Sequence, residues 1–280
     1  MTELFDLELA KRLMLLAEAS AEKHRTADPF PHSVFENFLP EAPLRAALSD
    51  FPRPGRIDWF EFDNGEEKKL SFDLVHRMPP SIREVLFFLN SPVILEFLER
   101  LTGIQGLIAD PYYWGGGLHQ IERGGHLAIH ADFNKYERLN IDRRLNLIIY
   151  LNEEWTEEYG GHLELWDRSM TRPVRRVLPV FNRAVVFNTT DFAYHGHPEP
   201  LTCPKDRTRK SLATYYFTNG RPLDEQSDDH STIFKKRPGV LLEPGYRPTR
   251  LAKQIVRAIT PPLVTDAYRY LKKQVKSQLG

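Results

Sequence analysis

Between Ile108 and Asn219 the chain breaks into short β-prone runs, each closed by Gly, Pro, Asn or Asp. The runs are YYWGGGLHQI, HLAIHADF, RLNLIIYLN, GHLELWD, RVLPVF, RAVVFNT and RKSLATYYFT. They are rich in β-branched and aromatic residues and recur about every 8–20 residues, a pattern that leaves an antiparallel sandwich or barrel as the economical fold. The flanks have a different grain. Leu4, Leu7, Leu9, Leu13, Leu16 and Ala17 recur at helical spacing over residues 3–24, which predicts a packed amphipathic helix. After the extended segment PFPHSVFENFLP a further helix is expected from Glu41 to Ser49. Residues 80–103 read as two short helices, each opening with proline in its first turn. The charged stretch from Gly55 to Asp73 reads as a hairpin or a mobile loop, and beyond Pro238 two helices are expected, at roughly 249–259 and 262–278. The fold class expected is therefore mainly β with flanking helices (α+β). A single domain over 1–245 divides into a helical and extended part, 1–107, and a β core, about 108–220, before a helical extension over 246–280.

Composition narrows the function. At 280 residues, 41% of them hydrophobic, one sizeable core is available. The 38 basic side chains balance 38 acidic ones, so no global field attracts nucleic acid. The single cysteine, Cys203, excludes an internal disulfide and any thiolate-rich metal site. The amino terminus, MTELFDLELAKR, has acids where a signal peptide has bases, and no apolar run reaches membrane-spanning length. A soluble, cytoplasmic protein is expected. From Arg247 to Gly280 eight bases face one acid, and Val264, Ala267, Tyr268, Leu271 and Val275 form an apolar stripe. Such a helix packs on its own domain or on a dimer mate, with weak contact to an anionic membrane surface as the other use of the pattern.

The chemistry concentrates in two segments. In GGHLAIHADFN, His130 and Asp132 stand two residues apart at the end of an apolar run, so in a strand they share one face. A lone pair of this kind is commonly just a hydrogen-bonded core histidine with an acid nearby. Here, however, a buried aspartate among apolar neighbours needs a cation or donors to compensate it. A third donor is available in VVFNTTDFAYHGHPEPL, from His195 or His197. Two imidazoles and one carboxylate, with open positions opposite, suit non-haem Fe(II) in oxygen chemistry. In RKSLATYYFT, Arg209 shares a face with Ser211, Ala213 and Tyr215 and offers a planar fork for a carboxylate. Tyr150, on the same side of its run as Asn146 and Ile148, adds a hydroxyl donor.

The order of HxD, LNLIIYLN, GGHLELWD, a distal histidine and an arginine opening a strand resembles the prolyl-4-hydroxylase-like branch of the Fe(II)/2-oxoglutarate dioxygenases. The likeness runs from about Gly117 to Thr218 and adds PFPHSVFENFLP upstream. The resemblance implies a double-stranded β-helix, or jelly roll. It selects His195 over His197 as the third ligand, since the family's spacing matches Phe187 to His195. It implies Fe(II) on His130, Asp132 and His195, with 2-oxoglutarate chelating the metal and its distal carboxylate on Arg209 and Tyr150. O2 is the second co-substrate, and ascorbate is expected to stimulate turnover. Two departures are visible. The stretch from His195 to Arg209 is longer than in the enzymes that hydroxylate hypoxia-inducible factor, and Gln120 stands where they place a second co-substrate tyrosine. Gln120 is therefore expected to contact co-substrate or substrate.

The implied reaction is hydroxylation of an unactivated C–H bond in a small molecule or a peptidyl side chain, with release of succinate and CO2. Asp132 argues against halogenation, for which related enzymes give up the carboxylate. Six residues beyond Arg209 stands Tyr215, not the second arginine of the nucleic-acid demethylases. Tyr112, Trp114 and Trp166 are candidates for the substrate wall, and FNKYERLNIDRR reads as a lid. The rival reading is a non-catalytic jelly roll that binds metal and ligand as a sensor or scaffold.

Overall fold

Leu9, Leu13, Ala17 and Ala21 line the buried face of the first long helix, α1 (Leu7–Arg25), in a computed structural model that describes residues 3–239. The helix starts at Asp6, whose side chain accepts the Glu8 amide, and its last turn carries Lys23, His24 and Arg25, which suits the carbonyl end of the helix dipole. Leu7 does not join the stripe: it is 65% exposed, although Leu4 before it and Leu9 after it are both buried in the core. Three more helices follow, α2 (Glu41–Ser49), α3 (Pro80–Leu89) and α4 (Pro92–Thr102), the last two with the expected proline starts.

The strands are β1 (His32–Phe35), β2 (Phe60–Asp63), β3 (Glu67–Phe72), β4 (Ile108–Ala109), β5 (Gly117–Ile121), β6 (His126–Ala131) and β7 (Lys135–Tyr136). After them come β8 (Ile141–Tyr150), β9 (Leu163–Trp166), β10 (Pro173–Val177), β11 (Ala184–Asn188), β12 (His195–His197), β13 (Arg209–Thr218) and β14 (Ile233–Phe234). They run in the order β1-β11-β8-β13-β5-β3-β6-β12-β9-β10 with every pairing antiparallel, a nearly closed, jelly-roll-like barrel. The charged stretch from Gly55 to Asp73 is thus a hairpin, β2–β3, and β3 bridges the two walls of the barrel by pairing with both β5 and β6.

Alternation along the long strands sets the two faces. Leu145, Leu147, Ile149, Leu212 and Tyr216 turn outward into a cluster with Leu13, Phe38, Leu86, Phe97 and other helical residues. Tyr216 and Tyr113 fix this layer further, donating to the carbonyls of Leu89 and Leu86 near the end of α3. Asn146, Tyr150, Arg209, Ser211 and Tyr215 lie on the opposite, inner face, as the spacing predicts. The two expected helices near the carboxy terminus, and with them the membrane-surface contact, lie outside the described residues. Among the described residues no helix is long and apolar enough to cross a membrane.

Candidate metal centre and co-substrate chamber

β12 lies against β6 with His195 directly opposite His130, so the two rings meet across neighbouring strands, their centroids 4.3 Å apart. Gly196 makes the approach feasible: a Cβ there would sit 2.8 Å from the carbonyl oxygens of Leu127 and Ala128. Each ring is oriented by its own strand. His130 Nδ1 lies 2.9 Å from the Ala128 carbonyl and His195 Nδ1 2.9 Å from that of Ala193. A carbonyl can only accept, so both Nδ1 atoms carry the proton and both Nε2 lone pairs are turned to the site. Each Nε2 is 3.6 Å from an oxygen of Asp132, too long for a hydrogen bond. Donor atoms of His130, Asp132 and His195 all lie within 4.8 Å of one another. Three convergent donors with correctly placed lone pairs fit a divalent cation, and their N2O composition fits ferrous iron.

Asp132 is braced from behind. Asn146 donates to its Oδ2 at 2.8 Å and Arg143 Nη2 stands 3.1 Å from the same oxygen, while Arg143 also holds the Asn146 side-chain carbonyl. The Arg143 guanidinium lies 3.5 Å from the Tyr215 ring centroid and 4.3 Å from that of Phe133. Burial pushes the Asp132 carboxyl upward, but Arg143 and the two imidazoles outweigh it and hold the group well below the ordinary carboxylate range. Burial also lowers His195, to about 4, with His130 adding to the effect. The His195 donor atom is thereby kept available to a metal at neutral pH.

Arg143 escaped the sequence reading for a physical reason. Leu145 pairs with Tyr216 and Arg143 with Phe217, so β8 takes two steps where β13 takes one. This bulge reverses the parity of β8 and turns Arg143 to the same side as Asn146. Strict alternation would have placed it outside.

At the other end of β8, Arg209 Nη2 donates to the Tyr150 hydroxyl at 3.2 Å and Nε donates to the Gly161 carbonyl at 2.8 Å. Gly161 is required there, since it has φ +74° and a Cβ would come within 2.6 Å of Leu201 and 3.0 Å of Arg209. Gln120 is not part of this group. It pairs with Lys210 and Leu70, on the face turned away from Arg209, and its amide donates to the Thr208 hydroxyl. The inner-face residue of that strand is His119, opposite Ser211 and Ser71. His197 lies buried beyond His195, with neither ring nitrogen hydrogen-bonded among the described residues.

The three aromatic candidates separate. Trp114 is half exposed and packs on Phe133 and Tyr136, which sets it beside the aromatic wall of Arg143, and Tyr112 lies beneath Arg138. Trp166 does not. Leu165 is the residue opposite His195, so Trp166 points out of the barrel, where it clusters with Ile129, Ala131 and Tyr194 and donates to Glu164. The segment FNKYERLNIDRR is anchored by buried Tyr136, and Asn134 is hydrogen-bonded to Asp228 and His230. That returning segment ends in β14, which pairs Phe234 with His130 on the open edge of β6.

The nearly closed antiparallel barrel thus carries a His/Asp/His group at one end and an arginine–tyrosine pair at the other. Residues 116–217 match the model of the 2OG-Fe(II) oxygenase superfamily. The chain is 25% identical over 195 residues to mouse prolyl 3-hydroxylase OGFOD1, a match covering 68% of this chain and 33% of that protein. The chain thus spans about a third of that relative. Its fold superposes on a prolyl hydroxylase of Trichoplax adhaerens, solved with a hypoxia-inducible-factor peptide, with TM-score 0.55 and 16% identity over 77% of this chain and 96% of that one. A Pseudomonas putida prolyl-4-hydroxylase gives TM-score 0.51 and 18% identity over 73% of this chain and all of that one.

Proposed function

We propose that this protein is an Fe(II)- and 2-oxoglutarate-dependent oxygenase that hydroxylates a peptidyl side chain, with a prolyl residue the first substrate to test. The observation that carries the reading is the placement of a three-donor metal site and a buried arginine–tyrosine pair on the inner wall of one barrel. Iron with bound 2-oxoglutarate supplies the oxidising power: O2 is consumed, succinate and CO2 leave, and a C–H bond becomes C–OH. The chain's own residues hold and orient. His130, Asp132 and His195 would hold the metal, with Asn146 and Arg143 fixing the carboxylate and the two backbone carbonyls fixing the imidazoles. Arg209 and Tyr150 would take the distal carboxylate of 2-oxoglutarate. His130, His195, Asn146, Arg143, Arg209 and Tyr150 are buried and Asp132 is partly so, which would limit water at the reacting centre and strengthen each electrostatic contact within it. Trp114 and Tyr112 offer an aromatic rim at which a peptide could dock.

The peptidyl substrate is suggested by the relatives, all three of which carry prolyl hydroxylase names and one of which was solved with a peptide. We take residues 1–245 as the unit that performs the reaction. The test is succinate release from 2-oxoglutarate with Fe(II), with and without ascorbate, followed by a search for peptides that gain one oxygen atom. Wild-type protein should release succinate and His130→Ala should not. Equal background release from both would overturn the proposal.

A further inference from the structure

β3 lies outside the segment 116–217 that matches the superfamily model, yet it supplies part of the inner wall. The register fixes which residues it contributes. Ser71 pairs with His119 and His119 with Ser211, so these three share the inner face. One inward step along β13 is Arg209, and one inward step along β3 is Lys69. These two long cations stand two strand spacings apart, about 10 Å, on the same wall. Lys69 is largely buried, its ammonium 3.0 Å from Glu67 and 5.1 Å from the Phe62 ring. His197 lies in the same register row as Glu67, each pairing with Leu127; it is only 3% exposed, and its two ring nitrogens meet no partner among the described residues. Arg209 and Lys69 both act on this ring, and both on His119, which burial and Lys69 lower to about 3.

A buried imidazole with both nitrogens unmet, on a wall that also carries two cations, marks a place for an anionic ligand. Arg209 keeps its charge but already spends two of its nitrogens on neutral oxygens, which leaves fewer donors for a carboxylate. We propose that Lys69 is a second cationic anchor for the distal carboxylate of 2-oxoglutarate, working with Arg209 from the other side, and that His197 donates a hydrogen bond to the same group. Glu67 holds the Lys69 ammonium in position until the co-substrate arrives. The inference rests on the proposed use of 2-oxoglutarate and adds to it a specificity residue from outside the matched core.

The experiment is calorimetric titration of 2-oxoglutarate into the Mn(II)-loaded full-length chain, with 2-oxobutyrate, which lacks the distal carboxylate, as the comparison ligand. Lys69→Met should weaken 2-oxoglutarate binding about ten- to a hundredfold, as loss of a charge-assisted hydrogen bond does. Lys69→Arg should restore most of it. Lys68→Met, one residue away on the exposed face, should bind like wild type. With 2-oxobutyrate, wild type and Lys69→Met should not differ. Unchanged 2-oxoglutarate affinity in Lys69→Met, or an equal loss with 2-oxobutyrate, would overturn the role of Lys69. Failure of the wild type itself to bind 2-oxoglutarate would instead overturn the functional reading beneath it. Mn(II) affinity measured without co-substrate should match in all variants, and a fall in Lys69→Met would assign the residue a structural role.

Discussion

Arg143 and Arg209 are both buried arginines on the inner wall of one barrel, at the two ends of β8, and their surroundings differ in kind. Arg143 has a carboxylate, an amide and two aromatic faces around it. Arg209 has a carbonyl and a phenol, so neither hydrogen-bond partner carries charge, and burial pulls its pKa below the ordinary guanidinium value. A buried cation left without a counter-charge destabilises the fold that holds it, whereas a compensated one need not. The end at Asp132 therefore carries its own counter-charge within the protein, whereas Arg209 finds none among its hydrogen-bond partners. The contrast teaches which end is architecture and which is reception.

The comparison is broken most forcefully at Asp132. Asp132→Ala leaves Arg143 uncompensated and should destabilise the metal-free protein by about 3–5 kcal/mol, read by urea denaturation, and should abolish Mn(II) binding. Arg209→Met should do the reverse to the fold. It removes a charge that has no counter-ion, so the ligand-free protein should lose no stability in the same assay, while 2-oxoglutarate binding weakens by about 2–5 kcal/mol. If both variants destabilise equally, the distinction between the ends fails.

Acid sharpens the contrast by probing a site in neither end. His24, under α1, lies 3.0 Å from both Ser33 and Asn188, and burial lowers it to about 4. The folded state keeps this ring neutral while the unfolded chain protonates near the ordinary value, so its contribution is full above pH 6.5 and declines as pH falls toward 4. The loss is about 3 kcal/mol across that window, and His24→Gln should flatten the denaturation midpoint against pH. The smallest effect concerns Trp166. Trp166→Phe removes its bond to Glu164, worth about 1 kcal/mol, and should leave metal and 2-oxoglutarate affinities untouched, because the ring lies outside the barrel.

What could be read from the sequence was whatever obeys a regular period. His130 and Asp132 two residues apart, the alternation that turns Arg209 and Tyr150 inward, and the proline starts of α3 and α4 all survive in the structure. The family's spacing added the choice of His195, which the structure places opposite His130. The misses fall where a period breaks or where a partner comes from far away. Arg143 was hidden by a bulge in β8. Gln120 occupies the right strand but the wrong face, which only the register with Lys210 reveals. Trp166 was placed by its neighbourhood in GGHLELWD, although parity with Leu165 turns it outward. Lys69 and Glu67 sit in a charged stretch whose polarity reads as surface, because nothing local announces that β3 will span two walls of a barrel.

The short strand β14 has a consequence for how this protein can be handled. By pairing Phe234 with His130 and Ile233 with Ala131, it caps backbone groups of β6 that would otherwise face outward beside the metal donors. Cutting the chain before Ile233 would uncover a bare sheet margin, the kind of surface on which separate molecules stack. A truncated protein of this sort would therefore be exposed to self-association through the strand that carries His130.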